Sequence, residues 1–264
     1  MLFSLVVLTA CSGTKPDDTA PADDTAADTG DTGTEVEPIN FEFTFRDGIT
    51  GGALVGAEIC VEEPIVDDNC YTSDADGLAA WTWEQPEPTN FAARLTLEQY
   101  VTTVYAGRYA EDVAEAWEDQ IEETGVVALN YGAFKTASVG AFLATGGVTQ
   151  NDGKGLVLFS VWDGAGSGID GVVISLSDDS GNDVGTVHYA NPFSSAVDTT
   201  LEATSSSGTV AIANVEPGTH TLTAASPDHT CQAGFSWASD EDNTIPVPVE
   251  ADVMTMSNMV CTPN

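Results

Sequence analysis

Basic residues are scarce in this sequence: 264 residues contain 6 Lys and Arg against 42 Asp and Glu, so the formal net charge is −36. A nucleic acid partner is excluded, because phosphate neutralisation requires clusters of Lys and Arg. The three histidines, His188, His220 and His229, lie in separate segments. The H-E-x-x-H, G-x-S-x-G, G-x-G-x-x-G and P-loop motifs are absent. We therefore predict that the protein is not an enzyme.

Long hydrophobic runs are also missing. The apolar run at residues 2–8 is too short to cross a bilayer as a helix, and residues 1–10 are predicted to be a secretory signal peptide. Leu8-Thr9-Ala10-Cys11 resembles the lipobox of bacterial lipoproteins. This resemblance implies cleavage before Cys11 and acylation of Cys11 with chains such as palmitate, so the membrane is a predicted partner through an acyl anchor. The alternative is a buried cysteine in a first strand.

The residues around Cys11 bear on location. By the same resemblance, Ser12 favours the outer membrane of a bacterial cell envelope over the inner membrane. Signal peptides usually begin with Lys or Arg, and none precedes Cys11, so a start upstream of Met1 stays open. Each buried methylene of an acyl chain contributes about 0.8 kcal/mol, so two or three chains would anchor a protein durably.

Residues 11–38 contain no aromatic side chain and consist mostly of Asp, Thr, Ala, Gly and Pro. Such a composition cannot bury enough apolar surface to fold, so the segment is predicted to be an acidic disordered tether. A random coil of about 27 residues has an end-to-end distance of roughly 30 Å. O-glycosylation and weak binding of divalent ions are the alternative roles for this segment.

After the tether, short alternating apolar segments bounded by Gly, Pro, Asp and Asn predict antiparallel strands. An apolar i, i+4, i+8 pattern at Val113, Trp117 and Ile121 predicts an amphipathic helix over residues 110–123, and a second short helix is expected near 137–143. The predicted strands are 41–46, 57–62, 78–83, 91–97, 101–105, 156–162, 172–176, 210–215 and 219–224.

The strand pattern repeats. Residues 54–61 match residues 169–176, with apolar residues at alternate positions after a glycine. Residues 73–77 match residues 205–208, and both end in a glycine that precedes a strand. In the second copy a Pro217-Gly218 turn leads into one more strand.

This order resembles the carboxypeptidase regulatory-like domains of the transthyretin-like β-sandwich group. The resemblance implies a mainly β protein with two tandem antiparallel β-sandwich domains, over residues 39–150 and 151–264, the first carrying the helical insertion at 110–123. The first copy departs from the family pattern at residues 86–90, where it lacks the Pro-Gly turn. Such domains imply a noncatalytic surface module for binding or structure. The alternative is a glycan-binding protein or an accessory subunit of a secreted hydrolase system.

Four cysteines remain once Cys11 is assigned to lipid: Cys60, Cys70, Cys231 and Cys261. Three pairings are possible. Pairing within each copy, Cys60 with Cys70 and Cys231 with Cys261, needs no contact between copies and closes loops of roughly 11 and 31 residues, worth about 3 and about 4 kcal/mol. A four-cysteine zinc site is the alternative, although the sequence lacks C-x-x-C spacing.

Two sets of candidate ligand-binding residues stand out. Asp74 and Asp76 precede Gly77 as hard oxygen ligands precede the glycine of a calcium loop, although the same residues suit a turn between strands. Calcium is the one cofactor that the sequence suggests. Tyr189 and Phe193 lie in an insertion of the second copy, where aromatic side chains could bind a glycan or a surface protein. The alternative is a hairpin that packs both rings onto the protein.

The calcium hypothesis makes a prediction for residues 39–264. If Asp74 and Asp76 hold the ion, millimolar calcium raises the melting temperature, because a ligand of the folded state stabilises it. Reduction is expected to lower the melting temperature, because it opens the disulfides. Thermal unfolding with and without calcium, under oxidising and reducing conditions, separates the two effects. A fall on reduction with no response to calcium contradicts the metal site.

Overall fold

The structure is a computed structural model that describes residues 38–63, 69–84, 89–109, 111–239 and 241–264. The predicted signal peptide at 1–10, Cys11 and the tether up to residue 37 lie outside the described residues. The protein is mainly β, as the alternating segments predict. Its elements are β1 (Ile39–Asp47), β2 (Glu58–Glu63), β3 (Cys70–Thr72), β4 (Leu78–Trp83), β5 (Thr89–Thr96), β6 (Thr103–Tyr109), α1 (Glu111–Thr124), β7 (Val127–Ala133), α2 (Thr136–Thr145), β8 (Gly155–Trp162), β9 (Val173–Ser177), β10 (Thr186–Tyr189), β11 (Thr209–Val215), β12 (Gly218–Ala225), β13 (His229–Ala233), β14 (Thr244–Val249) and β15 (Met254–Pro263).

Each segment predicted as a strand overlaps one, and the two predicted helices are α1 and α2. Six strands were not predicted: β3, β7, β10, β13, β14 and β15. In β14 the reason is physical, since Pro246 and Pro248 argue against a strand. The structure places β14 at a sheet edge and pairs Ile245 and Val247 with β12. An edge strand tolerates proline where the missing N–H would face away from the neighbouring strand.

The first half of the chain packs two layers around an aromatic core. One layer is a sheet of order β4-β1-β7, and the other contains β3, β2, β5 and β6. Strand β1 directs Phe41, Phe43 and Phe45 into the core, where all three are buried. The Phe41 ring stacks on Trp81 of β4 at 5.2 Å and meets Trp117 of α1 edge-on, also at 5.2 Å. Trp117 therefore fixes helix α1 to the sheet.

The second half repeats this strand pairing. Strand β8 lies between β11, antiparallel, and β15, parallel, as β1 lies between β4 and β7. Strand β12 lies between β9 and β14, both antiparallel, as β5 lies between β2 and β6. A second core of aliphatic residues fills the space between these layers.

The internal sequence repeat has a counterpart in backbone hydrogen bonding. The Ser73 hydroxyl accepts the N–H of Ala57 at 2.9 Å, and the Thr204 hydroxyl accepts the N–H of Val172 at 3.0 Å. Each hydroxyl also donates to the carbonyl three residues before that N–H, at 2.6 and 2.7 Å respectively. Both side chains are buried. Ser73 and Thr204, each four residues before the glycine of its turn, thus hold the start of β2 and the start of β9 in the same way.

One continuous sheet joins the two halves. Strand β15 pairs in parallel with two strands: with β6 through Met254–Met256, and with β8 through Met254–Val260. This inserts β15 between the halves and gives a nine-stranded sheet that contains the order β10-β11-β8-β15-β6-β5-β2-β3. The prediction of two tandem antiparallel sandwiches therefore differs from the structure in two respects: one sheet extends through both halves, and β15 pairs in parallel with β6 and β8.

The middle strands of this sheet are buried on both faces. In β8, Leu156 packs into the first core, whereas Val157 and Phe159 pack into the second. In β15, Met254 joins the first core and Met259 joins the second. Because successive strand residues point to opposite faces, one strand can serve two cores.

Side-chain contacts reinforce the junction. Trp237, from the segment between β13 and β14, packs on Ala92 of β5 and its neighbours in β6. Arg94 of β5 pairs with Glu62 of β2 and, at 2.6 Å, with Glu250 in the segment before β15. The outer face of β5 and β6 is thus covered by residues of the second half.

Replacing Met254 by Ala tests whether β15 couples the halves. Met254 is 1% exposed, and truncation of a buried Met to Ala costs about 2 to 5 kcal/mol. We expect M254A to lower the free energy of unfolding by that amount within one cooperative transition, measured by urea unfolding with tryptophan fluorescence and circular dichroism. The exposed Thr262→Ala of the same strand should change it by less than about 0.5 kcal/mol. Two separate transitions in the parent protein would contradict the coupling.

Candidate functional site

All four cysteines of the described residues are paired as predicted. Cys60 and Cys70 join β2 to β3, and Cys231 and Cys261 join β13 to β15. Cys231 and Cys261 are buried in the second core, whereas Cys70 is exposed at the edge of the large sheet. Each bond lies within one repeat, so it fixes a peripheral strand to its neighbour.

Asp74 organises the loop between β3 and β4. One carboxylate oxygen, Oδ1, accepts the N–H of Asp76 at 2.9 Å and the N–H of Leu78 at 3.0 Å. Gly77 has φ +77°, a conformation that favours glycine. The hydrogen bonds, chiefly that from Leu78, lower the pKa of Asp74. The motif that suggested calcium is therefore also a five-residue turn held by its first side chain.

The same turn recurs in the second half. Oδ1 of Asp163 accepts N–H groups two and four residues later, at 2.9 and 2.8 Å, and Oδ1 of Asp178 does so at 2.9 Å in both cases. Asn191 forms the neutral version at 3.2 and 3.1 Å. Since an asparagine makes the turn without a negative charge, these carboxylates have a structural role that requires no metal.

The calcium candidates are thus placed at a turn. The Asp74 oxygen that accepts two backbone hydrogens has less capacity left for an ion. Within the described ranges, no group of three or more His, Cys, Asp or Glu side chains is arranged to hold a metal ion. Calcium binding by Asp74 and Asp76 stays a prediction for the thermal experiment above.

The structure separates the two aromatic candidates. Tyr189 is 7% exposed, belongs to the second core, and its hydroxyl accepts the N–H of Ile174 at 3.0 Å. Phe193 occupies the tip of the Asn191 turn and is 70% exposed. A ligand could therefore contact the Phe193 ring but not the face of the Tyr189 ring, and the two do not form a joint surface.

The histidines are distributed as single residues of the second half. His220 is buried on the core side of β12, and its Nε2 lies 2.7 Å from the carbonyl oxygen of Glu216. His188 lies on β10, and burial lowers its pKa. His229 begins β13, with Nδ1 3.4 Å from the Ser226 hydroxyl.

Sequence reasoning missed a buried carboxylate at the end of β1. Asp47 is 6% exposed and accepts N–H groups from Ile49 at 3.0 Å and Thr50 at 2.8 Å. The Tyr100 hydroxyl donates to its other oxygen at 2.7 Å. Burial opposes ionisation of Asp47, but the hydrogen bonds from Thr50, Tyr100 and Ile49 outweigh it and lower the pKa. Burial, followed by the bond to Asp47, raises the pKa of Tyr100 to about 12.

A second missed feature is the solvent side of the sheet of order β14-β12-β9. Alternation along each strand turns a set of uncharged residues outward, and we call this set the hydroxyl face. In the sequence these residues are every second residue of three strands, but the set can be assembled only once β14 is recognised as a strand. The hydroxyl face consists of Val173, Ser175, Ser177, Thr219, Thr221, Thr223, Ala225, Thr244, Pro246 and Pro248.

Comparison with known proteins gives distant likenesses only. No protein-family model and no curated protein matches the sequence. The shaft pilin SpaA of Lactobacillus rhamnosus GG is 10% identical with a TM-score of 0.27, over 86% of this chain and 98% of the pilin. A streptococcal ancillary pilin is 12% identical with a TM-score of 0.25, over 88% of this chain and 64% of the pilin.

The Bacillus anthracis TIE protein is 12% identical with a TM-score of 0.28 over 86% of this chain, which spans only 34% of that protein. These TM-scores are too low to indicate a shared fold, so the roles of these proteins are not transferred. Among the helices of the described residues, neither is long and apolar enough to span a membrane.

The Asp47 site makes the stability depend on pH. The folded pKa of Asp47 is lowered, so its stabilisation is present above the unfolded value of about 3.9 and is lost as the pH falls through the folded value. We expect Tyr100→Phe to reduce the free energy of unfolding by about 1 kcal/mol near neutral pH, with a smaller loss near pH 2.

Tyr131→Phe is the matched control, because Tyr131 contacts the same aromatic core without a bond to Asp47. Its effect should be the same at both pH values. Denaturant unfolding of the two variants and the parent measures the difference, and an equal loss for Y100F at both pH values would contradict the role of Asp47.

Proposed function

We propose that the protein is a noncatalytic cell-envelope lipoprotein that displays a β module for binding or for structure. The observation that carries the proposal is which cysteines are paired and which one is not. The chain has five, and Cys60, Cys70, Cys231 and Cys261 pair with one another. Cys11 is left outside both disulfides, in the tetrapeptide that resembles a lipobox.

The disulfides also support an extracytoplasmic location. Disulfides persist in oxidising compartments such as the periplasm and the cell surface, and are rare in the cytosol. Within the described residues no group of three or more His, Cys, Asp or Glu is arranged to hold a metal ion, and each bond links two paired strands, which supports a structural role. A protein exported with a signal peptide and acylated at Cys11 would fold in such a compartment.

The distribution of charge supports display away from the membrane. The acidic segment at 11–38 would hold the module at a distance, because like charge keeps it from an anionic lipid surface. Ser12 favours the outer membrane as the destination. A net charge of −36 would keep the displayed module soluble at an exposed surface.

The repeated strand pairing supports the finer assignment of two tandem transthyretin-like units. Strands β1, β2, β4, β5, β6 and β7 correspond in pairing to β8, β9, β11, β12, β14 and β15. Within this proposal the units at 39–150 and 151–264 form one display module, since β15 completes the sheet of both.

Replacing Cys11 by Ala tests the anchor. In a bacterial host, the parent chain should incorporate labelled palmitate and enter the detergent phase on Triton X-114 partition, whereas C11A should do neither. The double variant Cys60→Ser, Cys70→Ser is the control, because it removes two cysteines without touching the lipobox and should keep the label. Label retained in C11A, or a parent protein found in the aqueous phase, would overturn the proposal.

A further inference from the structure

The hydroxyl face carries no charged residue although the chain has a net charge of −36. The corresponding outward surfaces of the other sheets do carry charge: Glu42 lies on β1, and Glu58 and Arg94 lie on β2 and β5. Acidic residues border the hydroxyl face without lying on it. Glu216 precedes β12, Glu250 follows β14, Asp242 lies two residues before β14, and Asp183 forms an isolated bridge with Ser177 at the β9 edge. A charged partner would bind where this protein carries charge, so the uncharged hydroxyl face suits a neutral partner.

The face is a regular grid. Across the strands, Thr221 is level with Ser177 on one side and Pro246 on the other. Thr223 is likewise level with Ser175 and Thr244. Strands lie about 4.8 Å apart and alternate residues about 6.8 Å apart along a strand. This array extends across three strands, which fits a long repeating molecule better than a small ligand that needs a cavity.

The hydroxyl groups at the centre of the grid are available. Within the described part of the chain, the side-chain oxygens of Ser175, Thr219, Thr221 and Thr223 take part in no hydrogen bond to protein. Thr219 and Thr221 are exposed, and Val173 at the border is 48% exposed. These groups can therefore exchange hydrogen bonds with a ligand that carries hydroxyls of its own.

In the first half of the chain, the surface equivalent to the hydroxyl face is covered by other segments. The equivalent outer surface of the first half, on β5 and β6, is packed by Trp237 and Val253, and Glu250 pairs with Arg94 beside it. No described segment packs in this way on the hydroxyl face, whose central strand leaves Thr221 in solvent. Pro246 and Pro248 also keep a further strand from adding beside β14, because they present no outward N–H.

We infer that the hydroxyl face is a docking surface for a neutral polysaccharide. Hydroxyls of the sugar chain would exchange hydrogen bonds with the rows of Thr and Ser, while Val173, Pro246 and Pro248 would contact the apolar faces of the sugar rings. A second copy of this chain is a poorer occupant, because face-to-face packing would bring Glu216 and Glu250 of two highly acidic molecules together. This inference rests on the proposed role as a displayed binding module and names its class of ligand.

The test uses the full chain in a polyoxyethylene detergent, which has no sugar headgroup to compete. The probes are neutral polysaccharides: cellulose and chitin, which are insoluble, and mannan and dextran, which are soluble. Binding is measured by depletion from solution for the insoluble probes and by affinity electrophoresis for the soluble ones. The salt concentration is about 0.15 M, where exposed charges more than about 8 Å apart are screened. Thr221→Asp places a charge at the centre of the grid, and Thr221→Val removes the hydroxyl at nearly constant shape. Thr72→Asp on β3 is the matched control, since Thr72 is also an exposed strand residue.

We expect the parent chain to bind at least one member of the panel, T221D to bind at least tenfold more weakly, T221V to lose less, and T72D to bind as the parent does. Equal melting temperatures of the variants show that they are folded. No binding to any polysaccharide, or equal losses in T221D and T72D, overturns the inference. So does a self-association, seen by sedimentation, that T221D abolishes, because it assigns the face to a second copy. None of these outcomes bears on palmitate labelling of Cys11, so the proposed anchor is judged separately.

Discussion

The parallel pairing of β15 with both β6 and β8 is the contact on which the rest of this structure depends. Residues Met254–Met256 carry the two halves in one sheet. Met254 and Met256 join the first core, whereas Met259 and Cys261 of the same strand join the second. Each repeat by itself has the layers of a small sandwich. Because the last strand completes the sheet of the second repeat and extends that of the first, the relative position of the repeats is set by backbone hydrogen bonds. The ion pair of Arg94 with Glu250 and the packing of Trp237 add to this junction.

The abundance of carboxylates has a local structural explanation at several turns. Asp74, Asp163 and Asp178 each accept backbone N–H groups that a tight loop would otherwise leave unpaired. Asp47 does the same in a buried setting, with help from Tyr100. An acidic residue at such a position is selected by backbone geometry as much as by charge. The remaining acids are spread over the surface, which makes the uncharged hydroxyl face distinctive.

The candidate for a binding surface differs between the sequence analysis and the structure. An aromatic pair at Tyr189 and Phe193 is a reasonable candidate when only residue types are known. Tertiary packing uses Tyr189 as a core residue, and its hydroxyl serves the backbone of Ile174. The hydroxyl face contains no aromatic ring, and it becomes a surface only when β9, β12 and β14 are placed side by side. The proposed cell-envelope role is compatible with either candidate surface, since it depends on Cys11 and the disulfides rather than on the ligand.

The sequence by itself determined the mainly β class, the approximate positions of nine strands and two helices, and the internal repeat. It favoured, among three possible pairings, the one of Cys60 with Cys70 and of Cys231 with Cys261 that the structure has. These depend on local signals: alternation, turn residues and the distance between cysteines along the chain. Only the tertiary structure decided that β15 joins both halves, that β14 tolerates Pro246 at an edge and that Tyr189 is buried. Strand partners and exposed faces are set by contacts between distant segments, and alternation within a single strand carries no information about its neighbour.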